Sequence, residues 1–239
     1  RQLAAFNAIL EQPEKSLDAL TWDKATFRDR DVKSLLTRAG VARHDMTDAV
    51  AAITLSEQVV QLQDERGRAL YTTQAMIETE DRMFAAADAL SSKKDHAANR
   101  VIEADRDQRL VLSEEQAAAV HHVTQGSDLA IIVGYAGTGK SATMAAAREA
   151  WEAAGYTVRG ATLSGIAADS LEQGSGIPSR TIASLEYQWS QGKEELTSKD
   201  VLVIDEAGMI GSRQMDRLLT TAQTAGAKVV LVGDSQQLQ

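Results

Sequence analysis

The sequence predicts an α/β fold over its second half, a parallel sheet covered by helices, preceded by a mostly helical region. Three observations carry this. An apolar run of strand character, Leu129-Ala130-Ile131-Ile132-Val133, enters a glycine-rich turn and then a helix that starts near Lys140. Further apolar runs recur at 156–161, 201–204 and 228–232, with helical stretches between them; strands alternating with helices make a parallel sheet with both faces covered. Upstream, residues 73–110 are highly charged and hold neither Pro nor Gly, which suits solvated helix rather than sheet.

Taken in order, residues 1–20 read as an N-terminal helix with Leu3, Phe6, Leu10, Leu17 and Leu20 as packing positions. Residues 21–80 read as an accessory domain. Phe27–Val32 leads into a helical stretch through Arg38, and Asp45 or Thr47 caps a helix that runs through Ile53. A hairpin follows: Val59–Leu62, a turn at Asp64-Glu65-Arg66-Gly67, then Ala69–Thr72, with Gly67 supplying the positive φ of the turn. Helices followed by a short hairpin read as winged-helix-like. Residues 81–111 form a helical connector, and 112–239 form the α/β domain.

Composition narrows the classes. At 239 residues, 44% of them hydrophobic, the chain can bury a real core. It has no run of about 18 apolar residues to span a membrane and no apolar signal-peptide core after Arg1. Zero cysteines exclude a disulfide framework and a thiolate metal site, in agreement with a cytoplasmic setting. The net charge is −9, and neither part is basic: 16 Lys and Arg stand against 19 Asp and Glu up to residue 111, and 9 against 15 after it. Any nucleic-acid contact must therefore come from a few placed donors, not a broad positive field. The chain opens without Met and stops at Gln239 directly after a strand-like run, which reads as a fragment of a longer protein.

The chemistry lies in four segments. Gly134-Tyr135-Ala136-Gly137-Thr138-Gly139-Lys140-Ser141 fits the P-loop pattern G-x-x-x-x-G-K-[ST]. Its glycines let main-chain N–H groups form an anion nest at a helix N-terminus. Lys140 would reach the β- and γ-phosphates of ATP, and the Ser141 hydroxyl would ligate Mg²⁺. Val201-Leu202-Val203-Ile204-Asp205-Glu206 is a buried strand ending in two carboxylates, where α/β sheets place ligands. Asp205 would hold Mg²⁺ and Glu206 would deprotonate the attacking water. Gly233-Asp234-Ser235-Gln236-Gln237-Leu238 follows a third apolar strand and suits a nucleotide sensor, since a Gln at that edge can hydrogen-bond a γ-phosphate. Ser113 with Gln116 three residues on is a capping box, which accounts for both residues by itself; the Gln116 amide could also pair with an adenine edge.

Two hydroxyl-rich segments remain. Gly160–Ala168 ends a strand and enters a helix, so Thr162 and Ser164 are placed to hold a nucleic-acid phosphate without net charge. Ser179–Leu185, with Arg180 and Thr181, is a second such segment, and taken singly either one is better explained by a structural role. The four His (44, 96, 121 and 122) lack metal-ligand spacing, and Trp22, Trp151 and Trp189 read as core or interface residues.

These motifs, in this order, resemble superfamily 1 DNA helicases of the RecD-like branch over residues 112–239. Asp205-Glu206-Ala207-Gly208-Met209 together with Ser179–Glu186 resembles, more narrowly, the helicase part of TraA-type conjugative relaxases. The resemblance implies that residues 112–239 form a first RecA-like motor domain, with a winged-helix-like region ahead of it as 21–80 suggests. It implies that Gln116 reads adenine, that Gly134, Gly137, Thr138, Gly139, Lys140 and Ser141 hold phosphates and Mg²⁺, and that Gln237 couples the γ-phosphate to DNA. Thr162 and Ser164, with Arg180 and Thr181, would lie near single-stranded DNA, and translocation would run 5′→3′. The 160–168 segment reads Ala-Thr-Leu-Ser-Gly where many of these proteins have Ala-Pro-Thr-Gly. A second RecA-like domain, which carries the arginine finger, and a relaxase domain would lie elsewhere in the parent chain, beside other conjugation proteins as partners.

Two other classes stay open on the residues. One is a degenerate motor kept as a DNA-binding or relaxosome-assembly module; the intact Lys140, Asp205 and Glu206 weigh against it. The other is a P-loop ATPase switch, which Gln116 and Gln237 disfavour. In the accessory region Arg28, Arg30, Lys33, Arg38 and Arg43 interleave with Asp29 and Asp31, a pattern that fits a solvated packing face better than a grip on duplex DNA.

Overall fold

The computed structural model describes residues 12–98, 112–134 and 139–234. The packing positions Leu3, Phe6 and Leu10, the second half of the connector, Gly137, Thr138 and Gln237 lie outside these residues. The chain forms two compact units. One takes in the described residues through Met83 together with Gly211–Asp216, the other Phe84–Ile210 and the residues from Arg217 onward.

The first unit holds helices α1 (Pro13–Leu20), α2 (Asp29–Arg38) and α3 (Met46–Thr54), then the hairpin strands β1 (Val59–Gln63) and β2 (Ala69–Thr73). Leu17, Leu20, Phe27, Val32, Leu36, Val41, Ala49, Val50 and Ile53 form its core. Phe27 locks the hairpin to the helices: its backbone exchanges two 2.8 Å hydrogen bonds with Tyr71, and the two rings stack at 5.7 Å. The turn is organised by Asp64, which accepts from the N–H groups of Arg66 and Arg68 and pairs with the Arg28 guanidinium at 2.8 Å. The Arg68 N–H, more than any other donor, holds this carboxyl well below the usual carboxylate range. Gly67 has φ 69, as the hairpin signal required.

Helix α4 (Gln74–Ser91) opens the charged stretch read as helical from residue 73 and ends within it. Its end is marked by Ser91 and Ser92, whose hydroxyls donate back to the carbonyls of Asp88 and Ala89 in place of further helical turns.

The second unit is a five-stranded parallel sheet of RecA-like P-loop type. Helix α5 (Glu114–Gln125) precedes β3 (Leu129–Val133), and α6 (Lys140–Ala153) leads to β4 (Thr157–Thr162). Then come α7 (Gly165–Ser175), β5 (Ser179–Thr181), α8 (Ile182–Ser190), β6 (Asp200–Ile204), a 3-10 turn at Ala207–Met209, α9 (Ser212–Ala225) and β7 (Lys228–Gly233). The order across the sheet is β3-β7-β6-β4-β5, so β7 is inserted between β3 and β6.

One face of the sheet presents Ala130, Val158, Val201, Val203, Val230 and Val232 to Met144, Ala147, Ala150 and Trp151 of α6 and to Val123 of α5. Trp151 is wholly buried there; truncating such a side chain costs ~3–5 kcal/mol. On the opposite face Leu202, Ile204 and Val229 are buried, and so are Leu218, Leu219 and Ala222 of α9.

Two departures from the sequence reading are informative. Strand β4 begins one residue later than expected, because the Tyr156 N–H closes the end of α6 on the Trp151 carbonyl at 3.0 Å. Strand β5 was not expected: three polar residues after Pro178 carry no apolar period, yet they pair with Gly160, Ala161 and Thr162 of β4.

The N-terminal edge of the sheet holds buried charge. Asp128, just before β3, lies 3.0 Å from His96 Nδ1, and Lys228, at the start of β7, is fully buried and donates to the Ser127 carbonyl. Burial pushes the Lys228 ammonium down to about 8, against a smaller upward pull from Asp128.

Candidate active site

Strand order and register set the geometry. Val133 pairs with Gly233, and Ile204 pairs with Leu231, so Asp205 comes level with Val232 and Ile132 one residue later. The Gly134 N–H donates to the Gly233 carbonyl at 3.2 Å, which puts the exit of β3 beside the exit of β7. Strands β3 and β6 are thus two spacings apart, about 10 Å, with their C-terminal ends on the same edge.

At that edge Lys140 folds over its own loop, Nζ donating to the Gly134 carbonyl at 2.9 Å. Gly139 is the N-cap residue of α6 and has φ 77. A Cβ built there would lie 2.1 Å from Gln116 Nε2, the far end of a flexible side chain, so it is the positive φ that calls for glycine at 139. The helix cap holds Gln116. Its Oε1 accepts the Ser113 N–H at 2.9 Å and its N–H donates to Ser113 Oγ at 3.2 Å, completing the capping box, while its amide nitrogen faces the phosphate loop. The capping reading of Gln116 is seen directly, in a rotamer that brings its amide nitrogen beside Gly139.

The acidic pair follows β6. The Asp205 N–H donates to the Ala161 carbonyl at 3.0 Å, extending the β4–β6 ladder by one bond. Asp205 Oδ1 then accepts the Glu206 N–H at 2.8 Å. Glu206 stands at φ 55 and ψ 32, the left-handed region, and its carbonyl starts the 3-10 turn by accepting from Met209. Strain of this kind gathers where a side chain must be aimed. The sequence held no sign of it. Ser141 is exposed on the first turn of α6, next to Lys140.

The residues picked for nucleic-acid contact are placed differently from one another. Thr162 is fully buried and donates from Oγ1 to the Ser164 carbonyl at 2.8 Å. Ser164 caps α7 by accepting the Ala167 N–H, and Thr181 caps α8 by accepting the Ser184 N–H. Arg180 pairs with Glu194 at 3.0 Å, beside a cavity of about 410 Å³ lined by Arg159, Glu172 and Ser179 among others. The capping explanation therefore accounts for the hydroxyls of Ser164 and Thr181. Sequence reasoning passed over Leu163 and Ile166, which flank Ser164 and are 38% and 82% exposed. Their exposure is a product of the fold, and the sequence carried no signal of it.

Comparison with known proteins then places the chain. A family model described as an AAA domain matches residues 111–239, the segment that carries the whole edge just described. The chain belongs to the AAA domain family. Membership of that family implies nucleotide binding, and the chain is similar both to TraA proteins and to a RecD2 helicase. It is 42% identical over 240 residues to a probable conjugal transfer protein TraA of Sinorhizobium fredii, and equally identical to a conjugal transfer protein TraA of Rhizobium radiobacter. Either match covers 97% of this chain and 22% of the relative. It is also 37% identical over 131 residues, 53% of the chain and 18% of the relative, to the ATP-dependent RecD2 DNA helicase of Deinococcus radiodurans. The AAA chain thus spans about a fifth of the length of its TraA relatives. Among the described residues no helix is long and apolar enough to cross a membrane.

Proposed function

We propose that this chain is the ATP-binding first motor half of a 5′→3′ DNA helicase that serves conjugative transfer. The observation that carries this reading is the meeting of Lys140 and the Asp205–Glu206 pair at one sheet edge, with a single strand between them. The donor set fits magnesium: one hydroxyl and one carboxylate, both hard oxygen ligands, beside a loop built for phosphates.

In this reading Gly134, Gly137, Thr138 and Gly139 cradle the phosphates with Lys140 reaching the β- and γ-groups. Ser141 and Asp205 hold Mg²⁺, which supplies charge neutralisation on the phosphates when bound. Glu206 takes the proton of the attacking water. Gln116 reads the base, and Gln237 senses the γ-phosphate. Single-stranded DNA runs past Ser164 and Thr181, where the helix N-termini and the exposed Leu163 and Ile166 offer phosphate and base contacts without net charge; Thr162 braces that turn, and Arg180 borders it. The polarity and the role in transfer are supported by likeness to RecD2 and TraA.

The partners are single-stranded DNA, a second RecA-like domain, a relaxase domain in the parent chain and other conjugation proteins. ATP and DNA together set the place of work in the cytoplasm. Residues 21–80 serve as a winged-helix-like accessory domain, residues 81–111 as its connector, and 112–239 as the motor domain. The pairing of Arg28 with Asp64 supports a packing role for the first of these.

The test is Lys140→Ala in the full-length protein. DNA-stimulated ATP hydrolysis should fall by at least about 100-fold, the scale of losing a preorganised charge on the transferring group, and plasmid transfer should fall with it. Unchanged transfer despite lost hydrolysis would favour a DNA-binding assembly module instead.

A further inference from the structure

Helix α7 has one end at Ser164, in the segment read above as a strand contact, and its other end against the first turn of α6. A Cβ built on Gly174 would lie 2.9 Å from both Cβ and Oγ of Ser141. Turning the serine hydroxyl away does not relieve this, because its Cβ is fixed by the helix; α6 and α7 would have to part. They are held from doing so. Arg148 of α6 donates from Nη1 to the Gly176 carbonyl at 2.9 Å, and Met144 and Ala147 of α6, like Leu171 and Ser175 of α7, are buried. Gly174 has no positive φ, so its backbone does not call for glycine. Space does.

We propose that Gly174 is a positioning residue for the magnesium ligand Ser141: its missing side chain lets α7 bear directly on that hydroxyl, so a shift of α7 at its Ser164 end is felt at the metal. The proposal rests on the nucleotide reading given above and names the residue through which the site is linked to its helix. A methyl at position 174 displaces Ser141 from metal range and leaves the phosphate cradle, which is formed by main-chain N–H groups and Lys140, in place.

The experiment measures binding of a fluorescent N-methylanthraniloyl-ATP to the full-length protein, in Mg²⁺ and in EDTA. For Gly174→Ala, affinity in Mg²⁺ should weaken about tenfold, the scale of one lost charge-assisted bond, while affinity in EDTA changes less than about twofold. In a Ser141→Ala background, which already lacks the hydroxyl, Gly174→Ala should add nothing in Mg²⁺. Equal weakening in both buffers, no weakening in Mg²⁺, or an undiminished effect in the Ser141→Ala background overturns the proposal. Should Gly174→Ala fail to fold, hydrogen exchange of the wild-type protein decides: amides at Gln173–Ser175 should slow with Mg·ATP and not with ATP in EDTA, and identical exchange in the two overturns it. Wild-type protein that binds nucleotide in neither buffer removes the ATP reading itself, and this proposal with it.

Discussion

Glu206 is held in a backbone conformation that costs a non-glycine residue ~1–3 kcal/mol. The Asp205 carboxylate stabilises it by accepting the Glu206 N–H, and the 3-10 turn stabilises it through the Met209 N–H, which donates to the Glu206 carbonyl. The two acids therefore act as one unit, the first fixing the backbone from which the second is aimed. Glu206→Gln keeps the shape and removes the proposed base, so single-turnover hydrolysis in the full-length protein should slow ~10²–10⁴-fold while Mg·ATP affinity stays within about twofold. Hydrolysis within tenfold of wild type would assign the base to another side chain. At this scale the sequence was legible in identity and mute in conformation. Lys140, Asp205 and Ser141 could be picked by spacing, but the left-handed turn at Glu206 depends on where β6 meets β4. The hydroxyls of Ser164 and Thr181 were ambiguous for a different reason: capping a helix and binding a phosphate need the same residue at the same place.

Among the elements, the strands with continuous apolar runs were readable because burial on both faces of a parallel sheet demands such runs. Strand β5 was not, being too short to show a period and dictated by its partner β4. Strand β7 shows both situations at once. Its body is Val-Val-Leu-Val, but it starts with Lys228, a buried cation that no apolar pattern predicts. The consequence is a pH dependence whose sign follows from the lowered value. Between about 8 and its ordinary value of 10.5, Lys228 is neutral in the folded protein and protonated in the unfolded chain. The unfolded state then binds more protons, so stability rises with pH across that window, by at most on the order of 3 kcal/mol. Chemical denaturation of this chain at pH 7.5 and at pH 10 should show the rise in wild type and its absence in Lys228→Met. A wild-type profile that is flat or falling there, with the Met variant unchanged from it, would contradict this account of Lys228.

Over the whole molecule, function follows from strand order. Placing β7 between β3 and β6 opens a gap of about 10 Å at the C-terminal edge, wide enough for phosphates and a hydrated metal between the lysine and the acids. It also brings Gly233, the last residue of β7, to that gap. None of this needs net positive charge, which reconciles a chain of net charge −9 with a nucleotide polyanion: the attraction is local, from N–H groups and one ammonium. The most direct measurement is calorimetric titration of this chain with ATP, with and without Mg²⁺, for wild type, Lys140→Ala and Asp205→Asn. The account predicts one site, weakened more than about tenfold by Lys140→Ala in either buffer, and weakened by Asp205→Asn only when Mg²⁺ is present. Magnesium dependence that survives intact in Asp205→Asn would mean that the lysine and the acids do not serve one nucleotide, and would contradict it.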